Sequence, residues 1–345
     1  MTKTKGARVT RNRHHRGTNE AKKGQLGFRR PAFTKEAPTS PALRENSGDY
    51  LLRPERPAPQ EFALAEPFVK WVGGKRRLVE QFERFFPARF ERYIEPFVGG
   101  GAVFFHLKKR HPRMSATLSD LNGVLVNTYR VVRDHPEELM LLLDRHGEAY
   151  ARDPERYFYE VRTAHRARMA DGSDPVGCAA EFIFLLRTCF NGLWRVNQSG
   201  QFNAPWGKYP KPPMYWRENL WDTHLALQGV RIEKQDFTGP MASLGAGDFA
   251  YIDPPYVPVS ATANFTSYTE SGFGPREQEK LAELFIAAAE RGAHLVLSNA
   301  DHPDVHRLYG RFRIEMVRAA RAVNSNGAGR GKVNEVVVVH EGRPR

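Results

Sequence analysis

Cysteine is nearly absent: the 345 residues contain two, Cys178 and Cys189. Two thiols build neither a disulfide scaffold nor a four-cysteine zinc site, so a reducing compartment is expected. Long apolar runs are missing too. No stretch approaches the ~18 apolar residues of a spanning helix, which excludes a membrane protein of that kind. The N-terminal charges are followed by no apolar segment of a secretory signal, and a cytoplasmic location is the expectation. His14, His15, His302 and His306 make no metal-ligand spacing with the cysteines, so no metal is expected. No internal repeat is visible, and the length fits one large or two modest domains.

Positive charge is present in excess and unevenly placed. Lys and Arg number 52 against 39 Asp and Glu, a net +13 that makes a polyanion the first partner to consider. Residues 1–60 hold 14 of those cations against 5 acids, or +9, which leaves +4 for everything that follows. Lys3–Arg30 has basic clusters and almost no periodic apolar positions, and prolines follow at 31, 38, 41, 54, 57 and 59. Such a composition buries too little surface to offset chain entropy and predicts a disordered, basic, Pro-rich tail over 1–60. The tail reads either as a solubilising extension or as an arm making phosphate contacts along nucleic acid.

From Phe68 onward, β-prone runs alternate with helical periodicity. Tyr93–Val98 reads as a strand ending in Gly99-Gly100-Gly101, with a helix over Ala102–Lys109. Ala116–Ser119 is a second strand running into Asp120, and Gly123–Arg133 is the next helix. Phe249–Ile252 is a strand running into Asp253, Gln278–Arg291 an amphipathic helix, and His294–Ser298 another strand. Val333–His340 is so densely β-branched that it predicts a strand buried on both faces. The alternation predicts an open, mostly parallel α/β sheet over 61–138 and 231–345.

Residues 139–230 differ in character and read as an insert. Leu139–Met169 is rich in Arg, Glu and Leu at helical spacing, and Ala179–Arg187 continues as an apolar helix whose Glu181–Leu186 is core. Thr188–Pro213 is loaded with Asn, Gly, Arg and aromatics. Within it, Leu193–Asn197 and Gln201–Asn203 predict a β-hairpin turning at Gln198-Ser199-Gly200. Arginine, amides and aromatics on a protruding hairpin suit entry into a DNA groove. Cys189 beside it reads as a packing residue.

Two strings carry chemistry. The Gly99 turn lets backbone approach a ligand at the carboxyl end of a strand, and Asp120, about 20 residues on, offers two acceptors to a ribose diol. Alone, this fits a nicotinamide enzyme equally well, or a turn required only for packing. Gly73-Gly74-Lys75-Arg76 lacks both the glycine spacing and the following Ser or Thr of a phosphate loop, which argues against an ATPase. The second string is Asp253-Pro254-Pro255-Tyr256. Two prolines hold its backbone extended, aiming the Asp253 carboxylate and the Pro254 carbonyl one way with an aromatic ring alongside. Two acceptors and a stacking face match an exocyclic amine on a planar heterocycle.

Together these strings resemble the DNA adenine N6-methyltransferases of the Dam type, alpha-class amino-methyltransferases of the D12 family, over nearly all of residues 66–341. Phe68–Arg76 is similar to the family's N-terminal cofactor segment, Glu95–Gly101 to its glycine turn, and Asp120-Leu121-Asn122 to its ribose-binding step. Phe190–Arg195 with Gly200–Pro205 resembles its DNA-reading hairpin. Asp253–Tyr256, continuing through Ser260–Thr266, resembles its catalytic segment. The order of cofactor motifs, recognition insert and catalytic turn is that of the alpha class; residues 1–60 have no counterpart.

The resemblance implies a Rossmann-like, S-adenosylmethionine-dependent methyltransferase sheet carrying a helical and β-hairpin recognition insert, with double-stranded DNA as partner. It implies cofactor contacts from Trp71 and Lys75 at the methionine end, Pro96, Phe97, Gly99 and Gly101 at the turn, Asp120 at the ribose, Asp236 with Phe237 at the adenine ring, and Asp253. Catalysis on a flipped adenine falls to Asp253, Pro254 and Tyr256. Lys70, Phe190, Asn191, Leu193, Arg195, Asn197, Pro205 and Tyr209 are the implied DNA-binding residues, with GATC as the target. Trp194 and Val196 depart in size from the expected pattern, so outer bases are expected to be read less strictly. Arg187 and Lys208 face either phosphate or only water. Three other readings compete. A cytosine-N4 methyltransferase usually carries Ser where Asp253 stands; a non-catalytic DNA-binding module has no need of Asp253, Tyr256, Gly99 and Asp120 together; an NAD-dependent oxidoreductase leaves the hairpin and the proline turn unexplained.

Overall fold

The computed structural model describes residues 62–256, 273–320 and 332–343, so the expected tail and the Ser260–Thr266 string lie outside the described residues. Seven strands form one sheet: β1 (Arg92–Glu95), β2 (Ser115–Asp120), β3 (Arg231–Lys234), β4 (Asp248–Ile252), β5 (His294–Ala300), β6 (Arg313–Ala320) and β7 (Lys332–His340). Their order is β3-β2-β1-β4-β5-β7-β6. The first five run parallel, and β7 slots antiparallel between β5 and β6. This is the expected Rossmann-like methyltransferase sheet. Sequence periodicity predicts β1, β2, β4, β5 and β7 but misses β3 and β6. Those two lie at the sheet edges and carry charge (RIEK, RIEMVRAA), so neither shows an apolar run.

The strand pleat divides the interior. Tyr93, Phe249, Tyr251, Val296 and Val337 face one core with Phe82, Tyr129 and Phe182, whereas Ile94, Ala250, Leu297 and Val336 face a second with Leu281 and Phe285. Val336–Val339 are all buried, because β7 has strands on both edges and packing on both faces.

The helices are α1 (Val79–Phe82), α2 (Ala102–Arg110), α3 (Gly123–Asp134), α4 (Pro136–Arg152), α5 (Pro154–Asp171), α6 (Pro175–Thr188), α7 (Arg217–Ala226), α8 (Thr238–Ala242), α9 (Pro275–Glu290) and α10 (Pro303–Tyr309). Asn122 opens α3, its Oδ1 accepting from the Val124 and Leu125 amides at 3.1 Å each. The helical run expected over Leu139–Met169 is two helices. Asp153 caps the second and Pro154, lacking an N–H to continue the first, begins it. The apolar α6 is buried along most of its length, as a helix hydrophobic all round must be.

The hairpin is shorter than two paired strands. One antiparallel bridge joins Val196 and Phe202, flanked by Asn197 N–H to the Gln201 carbonyl at 2.9 Å and Asn203 N–H to the Arg195 carbonyl at 2.8 Å. Gly200 turns it with φ +70°, and the ladder ends before Pro205, which has no N–H to give.

Candidate active site

The parallel register brings one polar file to the carboxyl edge of the sheet. Tyr251 lies opposite Val296, which sets Asp253 level with Ser298; Ser298 in turn pairs with Val337, and Ala300 with Glu335. Side chains two residues apart share a face, so Tyr93, Glu95, Tyr251, Asp253, Ser298 and Glu335 gather on one side. The hydrogen bonds follow this layout. Ser298 Oγ donates to Asp253 Oδ1 at 2.9 Å, Tyr251 Oη lies 2.9 Å from the same hydroxyl, and Tyr93 Oη donates to Glu95 Oε2 at 2.7 Å.

The Asp253–Tyr256 turn is held from three directions. Pro254 is buried, and the Pro255 carbonyl accepts from Gln278 Nε2 of α9 at 2.9 Å. Lys75 Nζ sits 2.8 Å from Asp253 Oδ2, donates to the Gly73 carbonyl at 2.8 Å, and stands 4.7 Å from the Tyr256 ring centroid. The Lys75 side chain is only 5% exposed, so bulk water screens its charge weakly. Tyr256 Oη donates to Glu335 Oε2 at 2.7 Å. Burial pushes the Glu95 carboxyl well above the ordinary carboxylate range and raises Glu335 too, the nearby Lys75 charge and the Tyr256 bond only partly offsetting it. The Tyr256 phenol is also driven far up, by burial first and the Asp253 charge second.

The glycine turn lies beside this file. Gly99, at φ +47°, donates its amide to Asp120 Oδ2 at 3.1 Å, while Asn122 N–H reaches Asp120 Oδ1 at 2.9 Å. A Cβ on Gly99 would stand 2.9 Å from the Trp71 ring, and one on Gly101 2.6 Å from the Tyr129 hydroxyl, so neither turn position has room for a side chain. Burial raises the Asp120 carboxyl although three backbone amides pull it down. Phe97 and Phe237 stack with centroids 5.5 Å apart, and Phe273 meets both edge-on at 5.7 Å. Pro96 is buried. Asp236 is exposed, and its Oδ1 takes the Thr238 amide and hydroxyl at the start of α8.

The expected DNA-reading residues form two groups. In the first, the Lys70 chain lies against Gly192 with its ammonium 5.5 Å from the Tyr209 ring, and Phe190, 51% exposed, donates its amide to the Pro205 carbonyl at 2.9 Å. Asn191 adopts φ +55°, a left-handed bend that carries the chain into half-buried Leu193. In the second, Arg195 Nε donates to Asn203 Oδ1 at 2.8 Å, and Asn197 Oδ1 accepts the Ser199 and Gln201 amides of its own turn. Lys208 is exposed. Arg187 is not: it donates to the Phe68 carbonyl at 3.0 Å and lies 4.7 Å over the Trp216 ring, and burial lowers it to about 10.

Sequence reasoning missed Ser298, Phe273, Asn203 and Glu335. Only Glu335 left a signal, as the single acid within the valine-rich run KVNEVVVVH.

The model of the D12 class N6 adenine-specific DNA methyltransferases matches residues 71–323. The chain belongs to this family. Its relatives include the type II methyltransferase M1.LlaDCHI of Lactococcus lactis subsp. cremoris, 36% identical over 278 residues, spanning 80% of this chain and 95% of that protein. The type II methyltransferase M.MjaIII of Methanocaldococcus jannaschii is 38% identical over 272 residues, 76% of this chain and 94% of its own. The DNA adenine methylase of Escherichia coli K12 is 33% identical over 276 residues, 79% of this chain and 95% of its own. This D12 enzyme is thus an adenine-N6 DNA methyltransferase with DNA and a methyl donor as substrates, and none of the competing readings is favoured. Among the described residues, no helix is long and apolar enough to cross a membrane and no cluster of His, Cys, Asp and Glu could hold a metal ion.

Proposed function

We propose that the enzyme moves the methyl group of S-adenosylmethionine to N6 of an adenine turned out of double-stranded DNA, within GATC. One observation carries this reading: the Asp253 carboxylate is held on Lys75 and Ser298 at the sheet edge, with the Tyr256 ring beside it. When bound, S-adenosylmethionine supplies the electrophilic methyl. The residues fit that group. Asp120, with one amide on each oxygen, keeps lone pairs for a ribose diol, and the stacked Phe97–Phe237 pair offers flat apolar surface to an adenine ring.

A paired adenine cannot present N6 to an electrophile, so the base must leave the stack, which costs a few kcal/mol. Tyr256 then stacks on it. The N6 lone pair is delocalised into the ring; Asp253 and the Pro254 carbonyl accept the two N–H groups and draw the nitrogen toward tetrahedral geometry. Lys75 and Ser298 fix Asp253 before the base arrives, so positioning and oriented acceptors supply the catalysis.

In this reading, residues 61–138 and 231–345 form the catalytic domain and 139–230 the target-recognition insert. Arg195 forks onto one guanine, Lys70 donates to the other, and Leu193 and Pro205 pack on a thymine methyl. Resemblance of the hairpin to the Dam type supports GATC, a palindrome that a monomer can read on each strand in turn. Calorimetry should find S-adenosylmethionine binding and little affinity for NAD; the reverse sinks the cofactor assignment. Sequencing of N6-methyladenine in DNA treated with the purified protein should place modification in GATC, and any other site defeats the specificity while leaving the chemistry.

A further inference from the structure

We infer that Glu335 is a positioning residue for methyl transfer, anchoring the Tyr256 ring through its hydroxyl so that the ring is already set when a base arrives. The inference rests on the proposed reading in which Tyr256 stacks on the extruded adenine.

Antiparallel pairing sets Glu335 opposite Ala300 at the carboxyl end of β5 and opposite Val317 of β6, on the face that carries Ser298 and Asp253. A carboxylate is thereby delivered to the catalytic edge from 79 residues beyond Tyr256. The phenol donates to it at 2.7 Å, and the Lys75 ammonium covers one ring face at 4.7 Å. The base has only the other face to use. A tyrosine ring turns about two side-chain bonds, and contacts at the hydroxyl and at one face fix both. Without the carboxylate, the ring keeps its apolar body but loses the contact that sets its tilt, and stacking must then order the ring as well as the base.

A purely architectural role explains the choice poorly. A half-buried carboxylate loses hydration, a cost that a valine like its neighbours in this strand would avoid. Among the described residues no arginine pairs with Glu335, and the Lys75 ammonium pairs with Asp253. Among the described residues, the hydrogen bond of Glu335 is with the Tyr256 phenol.

The test uses the full-length enzyme on duplex DNA with adenine or 2-aminopurine at the methylated position, and compares wild type with Glu335→Ala, Glu335→Gln, Tyr256→Phe and Tyr256→Phe/Glu335→Ala. Glu335→Ala should slow single-turnover transfer about 10-fold and change the 2-aminopurine fluorescence, with S-adenosylmethionine and DNA affinities within about 2-fold of wild type. Glu335→Gln, which keeps an acceptor, should recover most of the rate. The double variant should be no slower than the slower single one, since both remove the same bond. Multiplied losses, or wild-type transfer by Glu335→Ala, would overturn the inference. If Glu335→Ala does not fold, Tyr256→Phe carries the test, because it too must show the slowed transfer, and a wild-type rate there overturns the inference. An active wild type with unaffected variants removes this inference alone; a wild type that methylates no adenine removes the proposed reading with it.

Discussion

Asp253 takes its chemical meaning from its neighbours: Lys75 on one oxygen, Ser298 on the other, and Tyr256 three residues on. Replacing it with alanine removes one of two acceptors for the N6 amine, and single-turnover methylation should fall at least ~10²-fold. Calorimetry on the same variant separates this from lost cofactor affinity, and a wild-type rate would leave the proline turn a matter of architecture. Glu95 is a buried acid on the same face. Burial raises its carboxyl above the ordinary 4.5, so the fold favours the protonated form. Its contribution to stability is complete below that value and lost as pH climbs through the raised one. Glu95→Gln mimics the neutral acid and still accepts from Tyr93. Urea unfolding from about pH 4 to about pH 8 should show a flatter decline for the variant than for wild type. Equal slopes would assign the decline to other groups.

Among the elements, the hairpin depends on α5 for its placement. Arg166 Nε donates to the Phe202 carbonyl at 2.8 Å and Arg162 to that of Ala204 at 3.3 Å, while Trp194, 5% exposed, packs beneath against Phe182 and Phe202. The size of Trp194 therefore bears first on packing under the hairpin. Above it, Asn203 holds Arg195 twice, Nε on its Oδ1 at 2.8 Å and Nη2 on its carbonyl at 3.0 Å, which leaves the Nη1 N–H groups and one on Nη2 to reach a base. Arg195→Ala should cost ~1–3 kcal/mol of binding and relax one guanine position, whereas exposed Lys208→Ala should weaken all sequences alike. Binding measured across single-base variants of GATC checks this; equal losses on every sequence for Arg195→Ala would reduce it to a phosphate contact.

For the whole molecule, charge is the property that matters beyond the site. Deleting residues 1–60 removes +9 of the net +13 and none of the strings that resemble the family. Affinity for any DNA should fall and its dependence on salt should become shallower, with turnover on saturating DNA retained. Loss of turnover would show that the catalytic body extends into those residues.

The sequence by itself determined whatever depends on neighbours in the chain. Five strands are legible because their apolar runs are local, and the Gly99 turn and Asp120 are legible because both end adjacent parallel strands, where their amide–carboxylate bond then forms. Edge strands β3 and β6 lack that local pattern, and the Asp153-Pro154 break lies inside continuous helical periodicity. The Lys75–Asp253 pair joins residues 178 positions apart, and no local pattern announces it. Glu335 reaches Tyr256 only because β7 runs antiparallel beside β5. Such contacts were decided by tertiary structure alone: strand order and direction set which distant residues share an edge, and periodicity along one strand carries no information about its neighbour.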